Sequence, residues 1–322
     1  MSLLTQPKFD HQLRNHLIRD AIGLALYQEM VEDPAIHLLG EGAHMKVHFD
    51  APQIERDMPD RVHTLPISED GNTNFCVGAA LLGVKPVVDV IAADFLYRTM
   101  DSICNTAAKL DFLSGREHTI VIRSEFFTAG PTTGQRPESL FTHIPGLNVV
   151  VPSTPRDAHG LMRTALRTPG VTLFFEDRMI ADAEMSETDQ RLSGRIGFGY
   201  ALERRNGSVA PDVTIVTYGL MRQVVESALT PAMNVDLLDL RTVYPIDWMS
   251  LNGSVRRSHN LLIIEPDVVY GGVGAEIAAH VVEDFPGTRI KRLGAPREVL
   301  PAAPSLHPQI SQQDVVDAIN SF

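Results

Sequence analysis

Short apolar, β-branched runs alternate along this chain with longer segments of helical periodicity, and this alternation constrains the fold most. In the first half, strands are predicted at residues 36–40, 86–91, 119–123, 148–152 and 172–176, and helices at 17–32, 93–113 and 155–168. Strands that are apolar almost throughout and separated by helices suit a parallel sheet that is covered on both faces. The pattern therefore predicts an α/β fold.

A polar stretch near residues 181–195 (ADAEMSETDQRLSGR) interrupts the alternation, which then resumes with DVTIVTYG, VDLLDLR and NLLIIE. Polar stretches without apolar periodicity commonly separate domains. We predict two domains, each a mostly parallel sheet flanked by helices, at residues 1–185 and 200–322 with a linker at 186–199. A chain of 322 residues has room for both.

Composition excludes several classes of partner. The formal net charge of -12 argues against nucleic acid or an anionic membrane surface, since either favours a basic face. No apolar run approaches the roughly 20 residues that span a bilayer. The two cysteines, Cys76 and Cys104, lack metal-ligand spacing and predict reduced, packed thiols, with no metal site on this chain. We expect a cytoplasmic protein.

Glu69 is the first candidate functional residue. It follows a short apolar run and precedes a helix of small residues predicted at 74–83. A carboxylate at the carboxyl end of a strand lies where open α/β sheets bind their ligands. The same position also suits a helix cap or a solvated charge, so both interpretations stay open from these residues alone.

Several blocks of sequence together resemble one known family. They are LLGEGA at 38–43, PISEDG at 66–71, ADF at 93–95, HIPGLNVVVPSTPRDAHGL at 143–161, DLRTVYPIDW at 239–248 and GGVGAEIA at 271–278. In order and spacing they are similar to the β subunits of thiamine-diphosphate-dependent 2-oxo acid dehydrogenases of the pyruvate, branched-chain and acetoin types. The resemblance implies a transketolase-like pyrimidine-binding domain followed by a transketolase C-terminal domain.

This resemblance assigns roles to three residues. It implies that Glu69 is catalytic and hydrogen-bonds a ring nitrogen of the aminopyrimidine of thiamine diphosphate, and that Phe95 packs against that ring. It places Glu41 near the cofactor, at the end of the first strand. Such a role for Glu69 suits a buried carboxyl, because burial favours the protonated form and strengthens each hydrogen bond.

The diphosphate half of the cofactor site is missing from the sequence. Family members hold magnesium and diphosphate with a GDG motif, which this chain lacks. The resemblance therefore implies an α-type partner subunit that carries the magnesium, with thiamine diphosphate shared between the chains and no activity without that partner. It also implies a second copy of this chain in an assembly of two α-type and two β-type subunits. A lipoyl acyltransferase is a further candidate partner.

One segment departs from the family pattern. Counting back from His143 puts Thr133 where family members carry an active-site histidine. A threonine cannot act as a cationic acid near neutral pH, although Arg136 or a histidine of the partner could supply charge. Phe126 and Phe127 replace small residues and should reshape the substrate entrance. Phe126, Phe127, Thr133 and Arg136 are thus the predicted substrate-pocket residues.

A glycine cluster, GGVG at 271–274, could suggest a dinucleotide site. The third glycine of that fingerprint is absent, because position 277 is Ile. We favour a helix that begins close to its neighbour.

Three functions remain open at this stage. The first is a 2-oxo acid dehydrogenase or decarboxylase β subunit. The second is a subunit of a split transketolase-like or carboligating enzyme that passes its acyl unit to a non-lipoyl acceptor. The third is a non-catalytic scaffold subunit. The departure at Thr133 leaves the acceptor undecided.

Overall fold

A computed structural model describes residues 17–41, 52–127, 132–181, 194–206, 210–299 and 309–322. Within these ranges the chain forms a seven-stranded and a five-stranded sheet. Part of the predicted linker, residues 186–193, lies outside the described residues, as do Gly42 and Ala43 of the LLGEGA block. Among the residues described, no helix is both long enough and apolar enough to cross a membrane.

The first sheet contains the strands β1 (Ile36–Gly40), β2 (Val62–Thr64), β3 (Lys85–Ala92), β4 (Thr119–Phe126), β5 (Leu147–Val150), β6 (Gly170–Asp177) and β10 (Thr242–Tyr244). Their order is β10-β5-β6-β4-β3-β1-β2. All neighbouring pairs are parallel except β10 with β5. The carboxyl ends of β1, β3, β4 and β6 therefore lie along the same edge.

The second sheet contains β7 (Leu202–Asn206), β8 (Val213–Thr217), β9 (Val235–Asp239), β11 (Asn260–Val268) and β12 (Arg289–Ala295), in the order β12-β11-β8-β9-β7. Only β7, at one edge, pairs antiparallel among the described strands of this sheet. Two mostly parallel sheets with flanking helices confirm the predicted fold class.

The described α-helices are α1 (Ile18–Glu32), α2 (Pro52–Asp57), α3 (Glu69–Leu81), α4 (Leu110–Ser114), α5 (Glu138–Thr142), α6 (Pro155–Ala165), α7 (Arg178–Ala181), α8 (Leu220–Ala228), α9 (Trp248–Ser258), α10 (Val273–Asp284) and α11 (Gln312–Asn320). Asp247 caps α9, accepting a hydrogen bond from the Ser250 N–H at 3.0 Å. At the start of α10, a Cβ added to Gly274 would lie 2.8 Å from the Ile263 side chain. The glycine cluster thus lets this helix approach β11 closely.

Both faces of the first sheet are buried. Helices α1 and α6 cover one face, and Glu29 of α1 forms ion pairs with Arg163 and Arg167, which lie on and just after α6. Helix α3, residues 93–114 and parts of the second domain cover the other face. Burial on both faces explains why these strands read as continuous apolar runs rather than as alternating ones.

The block DLRTVYPIDW joins the two domains. Its strand β10 adds to the edge of the first sheet, and the Arg241 Nε lies 2.7 Å from Asp157 Oδ1 at the start of α6. Both side chains are buried. The crossing of this segment to the sheet of the other domain is visible only in the fold.

Two helix predictions needed correction. The long helix predicted at 93–113 is instead a 3₁₀ helix at Ala93–Thr99, a π-helical turn, a short 3₁₀ turn and then α4. Helix α3 begins at Glu69 and not at 74. In both regions the chain turns above the carboxyl edge of the sheet, where tertiary packing overrides helical periodicity.

Candidate functional site

Three of the predicted residues lie above the carboxyl ends of β1 and β3. Glu41 directly follows β1, Phe95 lies in the 3₁₀ helix that follows β3, and Glu69 begins α3. Gly40 has a φ of +150°, and a Cβ there would lie 2.5 Å from the Asp89 carbonyl oxygen. A glycine is therefore required for β1 to pass β3 so closely.

Glu41 is held in place by neighbouring donors. Its Oε1 accepts hydrogen bonds from the Ser68 N–H at 2.8 Å and from Asn72 Nδ2 at 3.3 Å. Burial raises the pKa of Glu41, and the nearby carboxylates of Glu69 and Asp89 add to this rise, whereas the Ser68 N–H opposes it. The result is a fixed carboxyl that retains a proton more readily than one in water.

Glu69 is a buried carboxyl, 8% exposed, at the first position of α3. A helix N-terminus favours negative charge. Its Oε2 lies 3.4 Å from the Nε of Arg98, whose side chain is 74% exposed. The carboxyl is therefore enclosed by protein on most sides and is in contact with a cation only on the solvent side.

The segment that contains Thr133 is tied to the same edge by Asp94. The Oδ2 of Asp94 accepts from the Gly134 N–H at 3.0 Å, and its Oδ1 accepts from the Gln135 N–H at 3.1 Å. Phe95, the next residue, is partly buried against the core. Thr133 is itself buried at 8% exposure. These contacts bring Thr133 and Phe95 to one region of the carboxyl edge.

Arg136 lies behind this segment and is already neutralised. Its Nη1 is 2.7 Å from Asp177 Oδ2, and its Nε is 3.3 Å from Glu138 Oε1. Burial opposes its charge, yet these two carboxylates raise the pKa of Arg136 above its ordinary value. The guanidinium carbon stacks 3.7 Å from the centroid of the Phe126 ring. We infer that Arg136 has little charge left for a substrate anion.

The two phenylalanines lie in different surroundings. Phe126 is 4% exposed and stacks on Phe175 at a centroid distance of 4.9 Å. Its ring packs against the Arg136 guanidinium. Phe127 is half-buried under Arg178, whose guanidinium carbon is 4.5 Å from the ring centroid. Arg178 also lies 3.0 Å from Glu125. Phe127 is thus nearer to solvent than Phe126.

Sequence reasoning missed four residues of this edge: Asn72, Asp89, Asp94 and Arg98. Asp94 stands inside the block ADF and Asn72 directly follows the block PISEDG, so their neighbours in the sequence could have indicated them. Asp89 and Arg98 carry no such signal, because they approach Glu41 and Glu69 only through the fold.

The residues present fit one half of a cationic, nitrogen-containing ring cofactor. Two buried carboxyls stand beside an aromatic side chain, and a third, Asp89, has an Oδ2 without a hydrogen-bond partner. A carboxyl can hydrogen-bond a ring nitrogen, and an aromatic side chain can pack against a flat ring. Among the described residues there is no group of three or more His, Cys, Asp or Glu side chains suited to a metal ion.

A further buried carboxyl, that of Glu138, lies behind Arg136. Glu138 is fully buried, and its Oε1 is 3.4 Å from the hydroxyl of Tyr218 in the second domain. Burial raises its pKa to about 7; Arg136 counteracts this effect, and Asp267 adds to it. Glu138 therefore titrates near neutral pH at the junction of the domains.

We expect the stability of Glu138→Gln relative to the wild type to increase as the pH rises. The folded-state pKa lies above the unfolded one, so Glu138 favours folding fully below about pH 4.5 and loses this contribution as the pH rises through about 7. The change should make the variant more stable relative to the wild type by up to about 3 kcal/mol between pH 5 and pH 8.5. Urea unfolding at several pH values measures this difference, with the exposed Glu117→Gln as control. A stability difference that does not change with pH would refute the prediction.

Comparison with known proteins first defines the class. The family model of the transketolase pyrimidine-binding domain matches residues 16–182, and that of the transketolase C-terminal domain matches residues 199–312. A solved structure described as a split gene transketolase in an inactive β4 tetramer superposes with a TM-score of 0.79 at 20% identity, covering 95% of this chain and 97% of that one. The fold is thus that of a two-domain transketolase-type subunit.

Curated relatives narrow the class. The chain is 31% identical to the pyruvate dehydrogenase E1 component subunit beta of Rickettsia felis over 94% of this chain and 96% of the relative. It is 31% identical to the 2-oxoisovalerate dehydrogenase subunit beta of Bacillus subtilis, over 89% and 91%. It is 30% identical to the mitochondrial pyruvate dehydrogenase E1 component subunit beta-1 of Arabidopsis thaliana, over 94% and 87%. The chain belongs to the family of 2-oxo acid dehydrogenase E1 β subunits, which confirms the resemblance found in the sequence.

Proposed function

We propose that this chain is the pyrimidine-binding half of a thiamine-diphosphate enzyme that decarboxylates a 2-oxo acid, and that it is active only with an α-type partner. The observation that carries the proposal is the pair of buried carboxyls, Glu41 and Glu69, beside Phe95 at the carboxyl edge of the sheet. Membership in the E1 β family supports the same reaction.

Each residue has a distinct task in this proposal. Glu69 would share a proton with the ring nitrogen of the cofactor, and its burial excludes water that would compete for that hydrogen bond. Glu41, which accepts hydrogen bonds from the Ser68 N–H and Asn72, would hold these two residues in position and place a second carboxyl next to Glu69. Phe95 would pack against the ring. When bound, thiamine diphosphate supplies the electron sink for the loss of carbon dioxide.

The diphosphate and magnesium would be held by the partner. The sequence contains no GDG motif, so this chain supplies only the pyrimidine side. A second copy of the chain, and a lipoyl acyltransferase that accepts the acyl unit, belong to the same proposal. In the cell we expect the assembly in the cytoplasm.

One observation favours a second candidate. Thr133 stands where the family carries a histidine, and Arg136, which could have replaced its charge, is neutralised by Asp177 and Glu138. An acyl transfer that depends on a cationic acid would then fail. A split transketolase-like or carboligating subunit, whose acceptor is an aldehyde, does not need that step. A scaffold role is less well supported, because both buried carboxyls and the adjacent aromatic are present.

The proposal is tested by a decarboxylation assay with an artificial electron acceptor, thiamine diphosphate and magnesium. Pyruvate and branched-chain 2-oxo acids are offered to this chain alone and to its complex with the α-type subunit. We expect turnover only in the complex, and subsequent addition of lipoamide or aldehydes identifies the acceptor. A complex that binds the cofactor but leaves every 2-oxo acid unchanged would reject the dehydrogenase function and leave ketose donors as the next substrates to test.

A further inference from the structure

Arg98 is the cation closest to Glu69 among the described residues. It lies in the same 3₁₀ helix as Phe95, and its Nε is 3.4 Å from Glu69 Oε2. Its side chain is 74% exposed, so the guanidinium stands at the solvent side of the site with its charge accessible. Because water surrounds the guanidinium of this pair, its charge is screened and it can leave Glu69 more readily than a buried arginine could.

The other arginines described at this edge are held more firmly. Arg123 is fully buried and contacts Glu176 at 2.6 Å, and Arg136 contacts Asp177 at 2.7 Å. Arg178 contacts Glu125 at 3.0 Å and lies over Phe127. Arg98 therefore combines the longest ion pair of the four with the most exposed side chain. Of the four, its guanidinium can leave its counter-ion and bind a ligand at the lowest cost in free energy.

The surrounding charge makes such a cation necessary. Glu41, Glu69, Asp89 and Asp94 are all buried near the carboxyl ends of β1 and β3. Those of the four that are ionised create a negative potential that suits a cationic ring but disfavours a monoanionic substrate. A 2-oxo acid that enters this site needs a compensating positive group on its path.

We propose that Arg98 binds the carboxylate of the anionic donor and thereby selects 2-oxo acids over neutral donors. This inference rests on the proposed function. In the free chain Arg98 pairs with Glu69. When cofactor and donor are bound, Glu69 would hydrogen-bond the cofactor. The Arg98 guanidinium would then leave Glu69 and pair with the carboxylate of the donor. Arginine suits this task because its planar fork can bind a carboxylate through two parallel hydrogen bonds.

The contact belongs to the ground state. The donor carboxylate departs as neutral carbon dioxide, so its attraction to Arg98 weakens as the carbon–carbon bond breaks. An interaction that is no stronger in the transition state lowers KM without raising kcat. Arg98 is thus a specificity-determining residue, and its removal has a kinetic signature different from that of Glu69.

The test uses the complex with the α-type subunit. Arg98→Gln should raise KM for 2-oxo acids by about 10- to 100-fold, as expected for the loss of one charge-assisted hydrogen-bonded contact, with kcat little changed. Arg98→Lys keeps the charge but loses the planar fork, so its KM should lie between those of the wild type and Arg98→Gln. The control is Arg56→Gln, since Arg56 is 68% exposed and is likewise paired with a carboxylate, Asp57, but lies outside the site.

A binding measurement separates this inference from the proposed function. Calorimetric titration with an acylphosphonate, an anionic analogue that cannot lose carbon dioxide, should show the same loss of affinity in Arg98→Gln. Equal affinity of wild type and variant, or a fall in kcat at constant KM, would overturn the role of Arg98. A wild-type complex that turns over no 2-oxo acid overturns the proposed function instead, and the titration still decides whether Arg98 binds the anion.

Discussion

Glu69→Gln in the assembled enzyme is expected to lower the rate of 2-oxo acid decarboxylation by about 10²- to 10⁴-fold, the usual contribution of a positioned proton-transfer group. Glutamine keeps the size of the side chain and can still form a hydrogen bond. It cannot exchange a proton with a ring nitrogen at neutral pH. The loss should therefore appear in kcat, in contrast to the effect on KM expected for Arg98→Gln.

Two measurements accompany this variant. The matched control is Asp70→Asn, which removes an exposed carboxylate from the same first turn of α3 and should keep most of the activity. The affinity for thiamine diphosphate, followed by fluorescence titration of the complex, should change far less than kcat, because in the proposed function the partner holds the diphosphate. Full activity in Glu69→Gln would remove Glu69 from the mechanism.

The second large effect concerns stability. Arg123→Met is expected to lower the free energy of unfolding by about 3–5 kcal/mol, because it leaves Glu176 as a buried carboxylate without its counter-ion. Arg123 Nε and Nη2 donate to the two carboxylate oxygens of Glu176 at 2.6 and 2.8 Å, and both residues are almost fully buried on β4 and β6. Although burial disfavours the charge of Arg123, Glu176 raises its pKa above the ordinary value. Burial raises the pKa of Glu176, and Arg123 counteracts this rise, so the arginine keeps the carboxyl more ionised than burial alone would allow.

A double variant tests this explanation. Replacing both members by methionine removes both charges and keeps similar volume, so Arg123→Met with Glu176→Met should be considerably more stable than Arg123→Met alone. Urea unfolding of the wild type, both single variants and the double variant gives the coupling energy. If the double variant is as unstable as the sum of the two single variants, the loss arises from packing and not from the unpaired charge.

Much of the fold could be predicted from the sequence because its signals are local. The strands of the first sheet are buried on both faces, and their apolar runs showed this in β1, β3, β4 and β6. The start of α10 was also predicted, because it depends on residues adjacent in the chain. The helix at 93–113 was not, since its irregular turns follow packing above the sheet.

The candidate site divides in the same way. Glu41, Glu69 and Phe95 stand in recognisable blocks, and Thr133 was located by its distance from the block that begins at His143, so the resemblance could indicate all four. Their roles stay predictions, and Glu69→Gln tests that of Glu69. Because Thr133 stands where a histidine is expected, the sequence also suggested Arg136 as a source of positive charge. Only the geometry shows that the carboxylates of Glu138 and Asp177 already neutralise Arg136.

The sequence by itself determined the α/β class, the family and the positions of Glu41 and Glu69, the two carboxyls to which the proposed function assigns the pyrimidine, because these follow from local periodicity and from blocks of adjacent residues. The tertiary structure alone decided which charges are available. Arg98 and Arg136 are 38 positions apart, yet one has an exposed guanidinium beside Glu69 and the other is enclosed by Asp177 and Glu138. The strength of a charge depends on its burial and its counter-ions, and residues distant in the sequence supply both.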